Sequence, residues 1–320
     1  MSVTVRRMRA EDIPDVKKVD LVSFGALVEN RYPDIKTITA RTDDNILSFM
    51  RAEPEGCMVA EDDFAGVIGS SFSHVWGRVG WVGPISVLPT YQGRGVGKEL
   101  VKSSLSHLDS RGCSDIGLET MPENQVNIGM YLRIGLRPAG MVLVMGVPLG
   151  DPPAEDAHAR DEYLVERFSE VRGKEDMLSM MRRLSDSLHP GLDYSPEVLA
   201  IHEHRAGDTL VAVRGNKLVG FSVVQTLPRR EGMQSATVRA MAVHPSEGDA
   251  PVEPLLSASE LLAREDRSAE LDVPVPAVCS RAVDVMLSRG YQLVQTYERM
   301  MWLGSPGVSE RLYNLSSWSG

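Results

Sequence analysis

The stretch WVGPISVLPTYQGRGVGKELV, Trp81 to Val101, decides how this chain folds. Val82 to Leu88 is β-branched and apolar but interrupted by Gly83-Pro84, which reads as a locally bulged strand. Pro89 and Thr90 follow, then Gln92-Gly93-Arg94-Gly95-Val96-Gly97, and Lys98 to Leu108 reads as a helix. A strand feeding a glycine-rich turn that opens a helix aims several unpaired N–H groups at one point, at the positive end of the helix dipole. Such a point binds phosphate. The glycines let the main chain approach an anion closely, and Arg94 and Lys98 add positive charge beside it.

The spacing excludes two other phosphate loops. No Gly-Lys-Ser/Thr closes the run as in a Walker loop, and glycines two apart throughout do not form Gly-x-Gly-x-x-Gly. The stretch resembles motif A of the GCN5-related N-acetyltransferase (GNAT) family, Gln/Arg-x-x-Gly-x-Gly/Ala, through Gln92, Gly95 and Gly97 behind the lead-in Val87-Leu88-Pro89-Thr90-Tyr91. Asn124 to Leu136 resembles the family's second signature, Asn-x-x-Ala-x-x-Leu-Tyr-x-x-x-Gly-Phe, with Asn127 in the small-residue slot and Met130 for the leucine. The two signatures stand in the family's order, one strand apart (Asp115 to Thr120).

The resemblance implies an α+β fold with a mixed, mostly antiparallel twisted sheet flanked by helices. It implies acetyl-CoA as co-substrate and no metal, with the acetyl group passing to a primary amine by direct attack in a ternary complex. Main chain of Ile85, Ser86 and Val87 would hold the pantetheine and thioester, and Gln92, Gly93, Arg94, Gly95, Val96, Gly97 and Lys98 the pyrophosphate. Tyr131 matches the general acid, with a packed helix tyrosine as the plainer reading. Asn124 matches a pantetheine contact, though helix capping alone would explain it. The strand that carries a catalytic glutamate in some relatives has no carboxylate here, which leaves Glu119 on the next strand, His74 or ordered water as base. A non-catalytic acyl-CoA sensor is the alternative function. A pure binder needs no acid, so Tyr131 separates the two.

The rear of the chain repeats the front. Leu210 to Phe221 matches Met58 to Phe72 in kind, Met241 to Pro245 matches Ile85 to Pro89, and Met286 to Tyr291 matches Tyr131 to Leu136, at a period of roughly 150–155 residues. The expected organisation is two tandem GNAT-like domains: 1–148, closed by a strand from Gly140 to Val147; a linker at 149–160; a degenerate copy at 161–304; and a tail at 305–320 whose Leu312, Tyr313 and Trp318 dock on the body. The second copy lacks the chemistry. Glu247, Asp249 and Glu253 stand where the phosphate loop belongs, and Met286 replaces the tyrosine. A tandem chain of this length also resembles the mycothiol synthase family, in which the carboxy-terminal copy is the competent one, the reverse of the order here.

Composition sets the remaining bounds. The chain has 320 residues, 42% hydrophobic and 24% charged, with a net charge of −10 and no basic block. Polymeric nucleic acid is therefore excluded as a partner, and an acidic surface favours a cationic acceptor, whether a small-molecule amine or a protein amino terminus. Cys57, Cys113 and Cys279 form no metal-ligand spacing and read as reduced thiols of a cytoplasmic protein. The amino terminus is charged almost at once, unlike a signal peptide, and no apolar run is long enough to span a membrane. Near the start, Asp12 reads as the cap of a helix over Pro14 to Leu27 with Val16, Val19 and Val22 inward, and Thr42-Asp43-Asp44 opens a second helix. Oligomeric state stays open.

Overall fold

The computed structural model describes residues 3–31, 38–150, 162–307 and 314–316. In the front half the strands are β1 (Val3–Arg7), β2 (Met58–Asp62), β3 (Gly66–Trp76), β4 (Val79–Val87), β5 (Asp115–Thr120) and β6 (Arg137–Pro148). The helices are α1 (Ile13–Arg31), α2 (Asp43–Ala52), α3 (Val96–Ser110) and α4 (Gln125–Arg133). The rear half has β7 (Leu164–Arg167), β8 (Gly207–Arg214), β9 (Lys217–Gln225), β10 (Ser235–Val243), β11 (Glu270–Pro276), β12 (Gln292–Leu303) and β13 (Asn314–Ser316). Its helices are α5 (Lys174–Leu188), α6 (Ser195–Glu203), α7 (Val252–Glu265) and α8 (Ser280–Ser288). None of the described helices is long and apolar enough to cross a membrane.

The glycine turn falls where expected, between β4 and α3. Thr42 caps α2 by accepting from the Asn45 amide at 3.2 Å. Asp12 behaves differently: it accepts the Arg9 amide at 2.7 Å and pairs with Arg6, so it closes a short turn before α1 instead of capping the helix. Val22, expected inward, is 42% exposed, because the neighbouring Ser23 and Phe24 take the inner side.

All strands join one continuous sheet in the order β1-β2-β3-β4-β5-β12-β6-β11-β10-β9-β8-β7. The pairings are antiparallel except β4 with β5 and β10 with β11. This is the mixed, mostly antiparallel sheet expected, with one correction. The strand containing Gly140 to Val147 does not close the front unit: β6 pairs with β11 (Leu271↔Val147) and β12, while β12 supplies the neighbour of β5 (Arg299↔Glu119). The two halves have exchanged their last strands. Alternation marks β6 as a strand, but nothing in it specifies which copy's edge it joins. Most of the expected linker lies outside the described residues, as do Leu312, Tyr313 and Trp318. In the tail, β13 adds antiparallel to β10 (Met241↔Leu315).

Local packing confirms the repeat. A buried serine pair ties strand to helix in each half, Ser71 to Ser104 and Ser222 to Ser259, both at 3.0 Å between hydroxyl oxygens. Gly69 and Gly220 also match: a Cβ on either would crowd a strand carbonyl (Ser86, Ala242) and a helix leucine (Leu100, Leu255). At the seam, Arg299 donates to Glu119 at 2.8 and 3.0 Å, with side chains 2% and 0% exposed, and its guanidinium lies over the Trp81 ring at 5.4 Å. Gly117 leaves room for Trp81, whose ring would lie 2.5 Å from a Cβ placed there.

Because each half completes the other's sheet, neither should fold alone. Residues 1–150 expressed by themselves, with the β5 edge and Glu119 uncovered, should aggregate or lack cooperative unfolding. The full chain should unfold in urea as one transition by both near- and far-ultraviolet circular dichroism.

Candidate active site

Strand β4 leaves β5 after the pair Val82↔Leu118, at Gly83-Pro84, while it stays on β3 through Ser71↔Ile85, Ser70↔Ser86 and Gly69↔Val87. The β5-facing main chain of Ile85 to Val87 thereby loses its strand partner. A cavity of about 660 Å³ opens there, and Ile85, Ser86 and Val87 form one wall.

The glycine turn forms the adjoining wall. Gly93 (φ +74°) and Gly95 (φ +89°) take left-handed conformations, and Gly95 directly precedes α3. The amides of Gly93, Gly95, Val96, Gly97 and Lys98 find no main-chain acceptor; the Glu99 amide, on the Gly95 carbonyl, begins the helical pattern. Gln92 donates from its side chain to the Val87 carbonyl at 3.0 Å, which braces turn against strand. Gln92, Gly93, Gly95, Gly97 and Lys98 all border the cavity. Arg94 and Val96 do not: the Arg94 guanidinium lies over the Tyr91 ring at 5.1 Å, and the Val96 side chain is buried under the turn. Their expected part in anion binding reduces to main chain and, for Arg94, charge at a distance.

On the opposite wall Asn124 caps α4 by accepting from the Asn127 amide at 3.2 Å and also borders the cavity. Tyr131 is 4% exposed and lines the cavity, and burial pushes its phenol above the ordinary range. Its hydroxyl makes no hydrogen bond among the described residues. Ser23, Phe24 and Leu27 of α1 form the fourth wall, which no motif announces; its signal is Phe24, which interrupts the inward valine spacing.

Neither expected base reaches the cavity. Glu119 lies one residue past the last β4–β5 pair, engaged with Arg299. His74 is 6% exposed, stacked on Trp76 at 5.6 Å and edge-on to Phe49 at 5.1 Å. Its Nε2 lies 2.7 Å from the Gly83 carbonyl, which can only accept, so the ring donates there and holds the point of divergence. Burial, reinforced by Arg239, lowers its pKa to about 4.

Rear-half residues dock on the front-half segment that leads into α2. The Thr42 amide donates to the Arg229 carbonyl at 3.1 Å, the Glu231 amide to Ala40 at 2.9 Å, and Arg230 to the Thr39 carbonyl at 2.6 Å. The corresponding edge of the rear half is filled: β10 leaves β11 after Thr237↔Asp272, and β13 pairs with Ala240 to Ala242 beyond that point. Glu247 pairs with Arg214 and Glu253 with Arg289, and Met286 is fully buried in the rear core.

Residues 24–136 match the model of the acetyltransferase (GNAT) family. Mycothiol acetyltransferase of Propionibacterium freudenreichii is 27% identical over 151 residues, 46% of this chain and 46% of that protein. The chain spans less than half the length of the curated relatives it matches. A GCN5-related N-acetyltransferase from Sphaerobacter thermophilus superposes with a TM-score of 0.63 at 15% identity, over 96% of this chain and 97% of that one. A tandem GNAT protein from the clavulanic acid biosynthesis pathway does so at 0.61 and 15%, over 95% and 99%. The front half thus matches the GNAT family model, and the chain as a whole has the fold of solved tandem GNAT proteins.

Two outcomes follow. Gly95→Val forces a β-branched residue into a left-handed conformation, at ~1–2 kcal/mol, and should weaken acetyl-CoA binding in calorimetry by about tenfold. Arg94→Ala should change it by less than about threefold. The second outcome concerns His74, whose folded pKa lies below its unfolded value of 6.5. Its contribution to stability is complete above pH 6.5 and is lost as pH falls toward 4, so His74→Phe should flatten the fall in melting temperature across that interval.

Proposed function

We propose that the chain is an acetyl-CoA-dependent N-acetyltransferase whose front half holds the donor and whose acceptor is a primary amine. One observation carries this reading: the Tyr131 hydroxyl, protonated and unpartnered, faces the same cavity as the unpaired main chain of Ile85 to Val87 and of the glycine turn. The donor contributes an activated thioester, and the residues contribute position and protons.

The glycine turn and the start of α3 suit a diphosphate, since five amides point there without acceptors of their own. The free edge of β4 suits the amide-bearing pantetheine arm, and a β4 amide aimed at the thioester oxygen would lower the barrier by about 3–4 kcal/mol. Tyr131 donates to the departing sulfur, and burial keeps its proton in place through neutral pH. Glu119 and His74 are committed to Arg299 and Gly83, so we assign removal of the amine's proton to solvent and Glu119 to holding the seam. The rear half carries no second donor site in this reading, because its strand edge is occupied by β13.

Tyr131→Phe should lower kcat in a thiol-release assay by about a hundredfold while leaving acetyl-CoA affinity within about twofold. Because burial raises the Tyr131 pKa, the wild-type rate should show no alkaline loss below pH about 9. Undiminished turnover in the variant would remove Tyr131 from its role. Acetyl-CoA binding without turnover of any amine would favour a sensor instead.

A further inference from the structure

The sheet face beneath α1, α2 and α6 contains an unusual concentration of arginine. Asp20 pairs with both Arg41 (2.9 Å) and Arg230 (2.8 Å), Glu197 with Arg239 (3.0 Å), and Glu119 with Arg299 (2.8 Å). Four guanidinium groups thus share three carboxylates, and every side chain involved is at most 18% exposed. Arg229 is a fifth. It is partly buried and makes no side-chain hydrogen bond or ion pair among the described residues. Arg239 and Arg41 repel it, and burial with that repulsion lowers its pKa to about 10. The remaining carboxyl near it, Asp272, is itself raised to about 6 by burial. In a chain of net charge −10, this interior is positive.

The cluster adjoins the cavity. Asp20 lies one helical turn before Ser23 and Phe24, which line it, and the Arg230 guanidinium covers the Phe24 ring at 5.5 Å. Arg229 is fixed by its backbone: its carbonyl accepts from Thr42, and the neighbouring Pro228 carbonyl accepts from the Thr42 hydroxyl at 3.1 Å. Arg229 is therefore held on the segment before α2, next to Arg230, whose guanidinium covers a wall residue of the donor cavity.

A guanidinium cannot shed its proton, and leaving one unpaired in a partly dry interior is unfavourable. We propose that the acceptor amine carries a carboxylate that pairs with Arg229, which makes it an amino-acid-like molecule and not a simple cationic amine. This rests on the acetyltransferase reading above and reverses the preference for a cation drawn from overall charge. A positive interior repels a second cationic centre and selects an anion next to the amine.

The test uses the full chain and matched acceptor pairs that differ by the carboxylate: phenylalanine with phenethylamine, leucine with isoamylamine, ornithine with putrescine. Acetyl-CoA binding is measured separately by calorimetry, so loss of the donor reading and loss of the carboxylate assignment have different signatures. The carboxylate-bearing member of at least one pair should have the higher kcat/KM by about tenfold or more, and Arg229→Gln should raise its KM by a similar factor. In that variant the acetyl-CoA KM should stay within about twofold, Arg229→Lys should recover part of the loss, and the melting temperature should hold or rise, since an unpaired charge has been removed. Equal or better turnover of the amines lacking the carboxylate would overturn the proposal. So would a variant that melts lower and loses both members of a pair equally, which is the signature of a merely structural arginine.

Discussion

Everything in this molecule depends on the exchange of the two last strands. Strand β12 of the rear half lies against β5 of the front, and β6 of the front lies against β11 of the rear, so two like units share a single hydrogen-bonded ladder. The Glu119–Arg299 pair sits on that seam, fully enclosed and covered by Trp81. A buried ion pair is weak support for stability as such, but it is unforgiving of misalignment, because sliding the strands by one residue would strand both charges in an apolar interior. The seam thereby fixes the register on which both halves rely. The same fixed register brings the loop carrying Arg229 and Arg230 onto the segment before α2.

The two copies have diverged in chemistry while keeping their packing. The serine pairs and the crowded Gly69 and Gly220 match across the halves, whereas the turn after the fourth strand does not. In front it has left-handed glycines and free amides; in the rear it has Pro245, Glu247 and Pro251, with Glu247 neutralised by Arg214. Tyr131 and Met286 occupy like places at the ends of α4 and α8, each under a glycine turn, yet one side chain borders a cavity and the other fills a core. Packing residues tolerate duplication with little change, since volume and polarity are all they must supply. A phosphate turn has no such latitude, because each of its positions has a required backbone conformation.

Much of this was legible in the chain. The glycine spacing around Gly95 located the turn, Asp115 to Thr120 was read as a strand at its true bounds, and the rear repeat followed from paired glycines such as Gly135 and Gly290. These are local signals, written in φ requirements and in period-two alternation. Strand exchange was not legible, because the alternation in Arg137–Pro148 states which face is inward but not which edge is joined. The arginine interior was hidden for a related reason: Arg41, Arg229, Arg239 and Arg299 are scattered along the sequence and meet only through topology. Net charge does not reveal it either, since it sums a solvated acidic surface with an interior of opposite sign. The burial of His74 was hidden too, because it comes from Phe49 and Trp76, neither of which is predictable as its neighbour from spacing.

The short strand β13 gives the rear half something the front half lacks. Where β10 parts from β11, three tail residues lie along the exposed ladder, so the rear unit is paired by its own backbone at the place that corresponds to the open edge of β4. An open sheet edge invites unwanted association, and a chain with two of them would carry that hazard twice. Self-capping takes one of these edges out of circulation and leaves the two like units unequal in what their ladders present to solvent.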